Sequence, residues 1–347
     1  MPAGYLAVDL FFILSGFVLS HAYASRLKHG MSVFAFMKAR VIRLAPLYWL
    51  ATVFSAMLFA ALIISNPRAA TEAGYDWANW VGSLATALFM VPTPQAWSLM
   101  PDRLFPLNDP AWSLFFEMLV NFVFAAFILS LTMRTLGWLI ATGLAVLVFC
   151  VFINGNIDIG FNWETIWSGF PRVTFGFFAG VLLHRLWSAQ GSPTTLKGPL
   201  ANAAGWVLGA ILIACMLVYV PPSWRPVYEL AVVALVFPAL VYCGACIVPT
   251  GVSLKAFIAL GAASYGIYVF HLPGARAFGQ VLETAGLDPT LYTPWTGLVF
   301  ANLLVLACQM LDKWFDRPMR RRLTAYFLPS NTEVKYSAPT DRLDARS

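Results

Sequence analysis

Apolar residues fall in blocks of roughly twenty along this chain, as long as a bilayer-crossing helix requires, broken by short clusters of Pro, Gly, Asn and charge. Such blocks lie at 5–24, 47–65, 111–131, 137–153, 171–186, 201–220, 228–248, 257–272 and 295–313, which predicts about nine full spans. A further stretch, 77–92, is shorter and richer in small residues, and is expected to be re-entrant or interfacial. Asn66-Pro67-Arg68, Asn154-Gly155-Asn156 and Pro221-Pro222 punctuate the pattern as turns. In hydrocarbon every backbone polar group must be satisfied internally, and no ten-residue alternation of a barrel is present, so the blocks are helices. The expected fold class is all-α, a polytopic transmembrane helix bundle.

Composition narrows the picture further. Of 347 residues, 60% are apolar and only 11% charged, where a soluble domain carries about 25% charge. Soluble globular, disordered, collagenous and disulfide-stapled classes are excluded. Cys150, Cys215, Cys243, Cys246 and Cys308 lie in or beside apolar stretches, and Cys243-Gly-Ala-Cys246 reads as packing, since no βαβ pattern surrounds it. One membrane domain, 1–328, is expected, followed by a polar tail, 329–347, expected to be disordered.

The net charge of +6 matters chiefly through its placement. Arg26, Lys28, Lys38, Arg40 and Arg43 precede the second block, and Lys313, Arg317, Arg320, Arg321 and Arg322 follow the last. Putting both sets inside and alternating brings Arg134, Arg185, Lys197 and Lys255 to the same side, as the positive-inside rule demands. That scheme leaves 77–92 uncrossed and Met1 outside, so an additional helix ahead of the first block is expected. Most charges sit in short loops, which makes nucleic acid a poor partner; the bilayer is the evident one.

Ionisable groups inside spans are costly and therefore informative. Asp9 lies near the outer end of the first block, suited either to pairing with an Arg on another helix or to chemistry. Ser113 and Glu117, following Trp112, share a helical face at i, i+4 and can bind a hydroxyl, orient a histidine, or form a buried network. Ser264, Tyr268 and His271 recur at i, i+4, i+7, where a histidine near the outer interface can take a proton from an alcohol or simply be hydrogen-bonded. Arg40 and Arg43, three apart, serve either topology and headgroups or an anion clamp. Arg172 opens its span from outside, as a partner for Asp9 or Glu117. His21 and His184 lie at inner helix ends. No Walker loop, H-E-x-x-H or G-x-S-x-G occurs, and no metal or permanently bound cofactor is expected.

Taken in order, these positions resemble the bacterial acyltransferase 3 family. The resemblance is carried by Val8-Asp9-Leu10-Phe11-Phe12-Ile13-Leu14-Ser15-Gly16-Phe17, by Phe36-x-x-x-Arg40-x-x-Arg43-x-x-Pro46-x-Tyr48-Trp49, by Trp112-Ser113-Leu114-x-x-Glu117 and by Tyr265-x-x-Tyr268-x-x-His271-x-Pro273. It implies an enzyme of the bacterial cytoplasmic membrane that moves an acyl group, commonly acetyl, from cytoplasmic acyl-CoA to a hydroxyl of a surface or exported sugar, polysaccharide or lipid-linked glycan. Glu117, His271 and Asp9 are then the candidate catalytic residues. Arg40, Arg43, Arg172, Trp112, Ser113 and Tyr268 are the candidates for binding, with Arg40 and Arg43 at the phosphates of the donor and Glu117 and His271 toward the outer leaflet. The family has a helix before V-D-L-F-F bearing a basic residue and a histidine used in transfer, which matches the missing helix inferred from parity. An inactive relative with a binding role is the alternative. A transporter would need inverted repeats, and none is visible in the sequence.

Overall fold

The apolar blocks fold as helices whose ends are set by local chemistry. The computed structural model describes residues 3–191, 195–288 and 291–328; the polar tail 329–347 lies outside the described residues. After a 3₁₀ turn at Gly4–Leu6, α1 runs Ala7–Lys28 and α2 runs Val33–Ser65. The short α3 (Pro67–Glu72) and α4 (Trp77–Leu88) follow, then α5 (Ala111–Ala126), α6 (Met133–Asn154) and α7 (Gly169–Ala189). Next come α8 (Pro199–Leu217), α9 (Arg225–Ala231), α10 (Phe237–Ala245) and α11 (Gly251–Thr284). The last helices are α12 (Trp295–Leu311) and α13 (Arg317–Phe327). π-turns at Val232–Val236 and Asp312–Asp316 join α9 to α10 and α12 to α13 without a break. Two-residue strands, β1 (Leu196–Lys197) and β2 (Ile247–Val248), pair in parallel between helix ends.

Caps explain several boundaries. Ser32 Oγ accepts from the Ala35 N–H at 3.2 Å to start α2, and Thr132 Oγ1 accepts from Thr135 N–H at 3.1 Å to start α6. Gly155, at φ +74°, ends α6 in the left-handed conformation that glycine adopts without strain.

Among the described residues, eight helices are long and apolar enough to cross a membrane. The outward face is apolar: Trp138, Phe149, Phe152 and Leu235 are exposed, while Asp9, Glu117 and Arg172 are each about 1% exposed. That inversion suits hydrocarbon as solvent.

The boundaries differ from the predicted ones in three instructive places. The second block begins at Val33 rather than 47, because the basic segment before it is already helical and Pro46 is accommodated inside α2. The block at 257–272 extends to the 34 residues of α11, with Pro273 inside it. Conversely, 111–131 yields only the 16 residues of α5, short of a full span, because the chain turns at Phe127–Leu131 before α6 is capped. The 77–92 stretch gives α4, whose 12 residues rise about 18 Å. It hangs on α2 through Tyr48 Oη to Ala87 O at 2.6 Å, Trp80 Nε1 to Ala56 O at 2.9 Å and Trp49 Nε1 to Leu88 O at 2.9 Å.

Helix α1 lies against α7 backbone to backbone. A Cβ on Gly16 would sit 1.9 Å from Phe177 O, and one on Gly180 2.0 Å from Ile13 O. Gly176 and Gly180, four apart on one face of α7, thus let the two backbones approach closely. Gly205 meets the Phe257 ring, whereas a Cβ on Gly209 would meet nothing within 4 Å.

The start of α2 and the end of α13 meet at one end of the bundle, where Lys38 Nζ donates to Phe327 O at 3.2 Å. This is the basic end of the bundle. His21 and His184 also lie there, 3.3 Å apart and edge-on to Trp187 and Phe17. The opposite, far end carries the start of α1 and the loops 98–110 and 155–165.

Candidate active site

A buried ion pair anchors the far half of the bundle. Arg172, at the head of α7, grips Asp9 of α1 with two hydrogen bonds, Nη2 to Oδ2 at 2.7 Å and Nε to Oδ1 at 3.1 Å. Its third donor, Nη1, reaches Ile159 O at 2.6 Å, and its plane lies 5.0 Å from the Trp112 ring. Of the two partners offered by the sequence, Asp9 is the one Arg172 takes. Both oxygens of Asp9 are engaged, which is the pairing reading of that residue.

Glu117 is reached from the opposite direction. Arg40 Nη2 donates to Glu117 Oε1 at 2.7 Å, and Ser15 Oγ of α1 donates to the same oxygen at 2.8 Å. The expectation that Arg40 faces the cytoplasmic interface while Glu117 lies toward the outer leaflet is thus corrected: the two touch. The reason is the early start of α2, which carries Arg40 about two turns into the bundle, while Glu117 descends about 9 Å along α5. Two groups at this node have no hydrogen-bond partner among the described residues, Glu117 Oε2 and Arg40 Nε. Buried polar atoms are rarely left so, and an orphaned acceptor beside an orphaned donor suits a polar ligand. Asn121, one turn below Glu117 and fully buried, likewise leaves both amide atoms unpartnered there.

One turn above Glu117, the Ser113 hydroxyl hydrogen-bonds the Tyr268 hydroxyl, and Tyr268 Oη also donates to Pro110 O at 2.8 Å. The Tyr268 ring stacks on Phe11 with centroids 5.8 Å apart. His271 Nδ1 lies 2.8 Å from Tyr268 O. A carbonyl can only accept, so Nδ1 carries the proton, and in the neutral ring Nε2 keeps its lone pair. His271, Tyr268 and Trp112 line an open cleft of about 150 Å³ at the far end. Ser264 departs from the predicted stripe: it is exposed and bonds to Gly261 O, while Tyr265 faces inward.

At the basic end Arg43 packs 5.5 Å from the Tyr265 ring and 3.6 Å from Asp316 Oδ2. Tyr265 Oη donates to Leu44 O at 2.7 Å. Asp316 also takes Arg320 at 2.9 Å, and Asp312 takes Arg317 at 2.7 Å. Tyr265 and Tyr268, about one turn apart on α11, thus contact Arg43 at the basic end and Ser113 toward the far cleft respectively.

Several residues here were not picked out by sequence reasoning. Ser15 was hidden inside a motif quoted for its apolar letters, and Tyr265 was quoted but given no role. Asp109, Asp158 and Arg103 look like ordinary loop charges. No group of three or more His, Cys, Asp or Glu that could hold a metal occurs among the described residues.

Comparison with known proteins identifies the family. Residues 2–311 match the family model described as an acyltransferase domain, acyltransferase 3. The chain is 27% identical over 330 residues to the exopolysaccharide production protein ExoZ of Rhizobium meliloti (strain 1021), covering 92% of this chain and 90% of that protein. It is 26% identical over 342 residues to the acyltransferase MdmB of Streptomyces mycarofaciens, covering 92% and 82%. It is 39% identical over 150 residues to protein 2 in the picA locus of Rhizobium radiobacter, covering 42% of this chain and 78% of that one. No solved structure matches it. With a model matched across nearly the whole described bundle, the chain belongs to the acyltransferase 3 family of membrane acyltransferases.

Proposed function

We propose that this protein is an O-acyltransferase of the bacterial cytoplasmic membrane. It takes an acyl group, commonly acetyl, from acyl-CoA at the basic, cytoplasmic end and gives it to a hydroxyl of a surface or exported saccharide, polysaccharide or lipid-linked glycan. The observation that carries this reading is the Arg40–Glu117–Ser15 node, buried between a basic rim and a polar cleft at opposite ends of the bundle. The relatives, an exopolysaccharide production protein and an acyltransferase, support it.

The chemistry follows from the groups present. The acceptor oxygen attacks the thioester carbon while its proton passes to His271 Nε2, the ring nitrogen that Tyr268 O leaves unprotonated. The carbonyl oxygen gains negative charge as the new C–O bond forms, and the Arg40 Nε–H is an unoccupied donor suited to it. The C–S bond then breaks, and the proton held on His271 passes to the sulfur, so that CoA leaves as a thiol and the imidazole returns to its neutral form. Glu117 holds Arg40 and offers Oε2 to the reacting groups. Asp9 acts through Arg172, which fixes Trp112 and the loop at Ile159. Arg43 attracts the donor's phosphates.

The test is transfer of labelled acetyl from acetyl-CoA to added glycosides by membranes containing the chain. Glu117→Gln membranes are expected to insert the protein normally and to transfer nothing above background. Undiminished transfer by that variant removes Glu117 from the mechanism, and no transfer by the unaltered protein to any hydroxyl acceptor overturns the reading.

A further inference from the structure

The far cleft contains polar groups that the transfer chemistry does not use. Arg103, Asp109 and Asp158 stand on the loops 98–110 and 155–165, which are stitched together and to the bundle. Leu104 N–H donates to Phe161 O at 3.2 Å, Trp163 N–H to Asp102 O at 3.0 Å, and Trp163 Nε1 to Thr93 O at 3.1 Å. These loops therefore present their side chains from a fixed platform. Asp109 Oδ2 accepts from Arg103 Nη1 at 3.0 Å, while Asp109 Oδ1 is buried with no hydrogen-bond partner among the described residues. The Asp158 side chain is exposed in the same cleft and forms no ion pair among the described residues. Val8, Phe161 and Leu272 supply an apolar wall in the same cleft.

We propose that this cleft is the acceptor subsite and that it selects a neutral polyhydroxylated ring, a sugar residue bearing no carboxylate, phosphate or sulfate. Asp109 and Asp158 accept hydrogen bonds from neighbouring ring hydroxyls, Arg103 donates to a third oxygen, and the apolar wall covers the C–H face. A further hydroxyl then lies toward His271, which lines the same cleft. The side chains that line the cleft decide against an anion: Asp109 and Asp158 face it with Arg103, which already donates to Asp109. The inference rests on the acyltransferase reading, since the bound hydroxyl is the one to be acylated.

Protonation adds a signature. Burial lifts the Asp109 carboxyl to about 6, against the pull of Arg103 and Arg276 and with added repulsion from Asp158 and Asp102. His271 and Tyr268 of α11 also line the cleft. Below about pH 6 Asp109 becomes a neutral carboxyl and a weaker acceptor, so sugar affinity falls there.

The test uses the full chain in phospholipid nanodiscs, without acyl-CoA, and saturation-transfer NMR with methyl α-glucopyranoside and with the corresponding methyl glucuronide. The neutral glycoside is expected to bind saturably and the glucuronide not. Asp109→Asn and Asp158→Asn are each expected to raise the glycoside Kd about tenfold, the worth of one charge-assisted hydrogen bond. Asp158 is exposed, so its variant does not put folding in question. Unchanged Kd in both variants, preferential binding of the glucuronide, or no saturable binding of the neutral glycoside overturns the subsite. Acetyl transfer measured on the same preparations separates the two proposals. Variant-sensitive glycoside binding without transfer keeps the subsite and overturns the enzyme reading. Transfer with an acceptor KM unaffected in both variants does the reverse.

Discussion

Replacing Asp9 by Asn isolates the largest electrostatic element of the bundle. The carboxylate is about 1% exposed and meets two guanidinium donors, so the variant keeps one acceptor and loses the counterion. Arg172 is then a buried cation left with neutral hydrogen-bond acceptors, the new amide oxygen and Ile159 O, and with the Trp112 ring. Breaking a buried pair by removing one partner costs about 3–5 kcal/mol. That corresponds to a drop in Tm of about 5 °C for a chain of this size. Removing both charges, in Asp9→Asn with Arg172→Met, leaves no uncompensated ion and is expected to recover a good part of the loss. The assay is thermal unfolding of each purified variant in nanodiscs, paired with acetyl transfer below the transition. If Asp9 acts structurally, transfer follows the folded fraction, and the double variant regains stability over the single one. An Asp9→Asn protein that melts like the unaltered chain yet transfers no acetyl would refute the argument and make Asp9 a participant in the reaction.

Two further outcomes are expected. Arg43→Ala, which removes a cation from the basic rim beside Asp316 and Tyr265, should raise the KM for acetyl-CoA about tenfold with little change in kcat or acceptor KM; steady-state kinetics with each substrate varied checks this, and an unaltered donor KM returns the residue to topology alone. Gly180→Ala places a Cβ against Ile13 O and Phe17 N, forcing α1 away from α7; it should lower the melting temperature as an overpacked contact worth about 1–3 kcal/mol, and an unchanged Tm would show that the two helices do not depend on that approach.

How much of this was legible beforehand divides along physical lines. Hydropathy finds the helices because lipid demands it, but it misplaces their ends wherever charged residues are helical. Lys38, Arg40 and Arg43 depress the apolar signal ahead of 47, yet two of the three turn their charge onto acids, Glu117 and Asp316, and α2 continues through them. The small-residue spacing at Gly176 and Gly180 announced a close crossing but not its partner, Gly16 and its neighbours on α1. Pairings across long stretches of chain, such as Ser15 with Glu117 and Asp9 with Arg172, depend on how the helices pack and leave no local trace beyond an ionisable residue in an apolar run. Asp109 and Asp158 were less visible still. They lie in loops where acids are ordinary, and only the hydrogen bonds joining the two loops give them a common cleft.

The central claim is that a thioester arriving at the basic end meets an alcohol arriving at the far end within one protein. Sealed proteoliposomes test it most directly: acetyl-CoA is enclosed in the lumen, a membrane-impermeant glycoside is supplied outside, and protein molecules with their basic end inward are the only ones able to use both. The account predicts acetylated glycoside in the outer medium and free CoA retained in the lumen. Acetylation that occurs only when acetyl-CoA and glycoside share one compartment would contradict it.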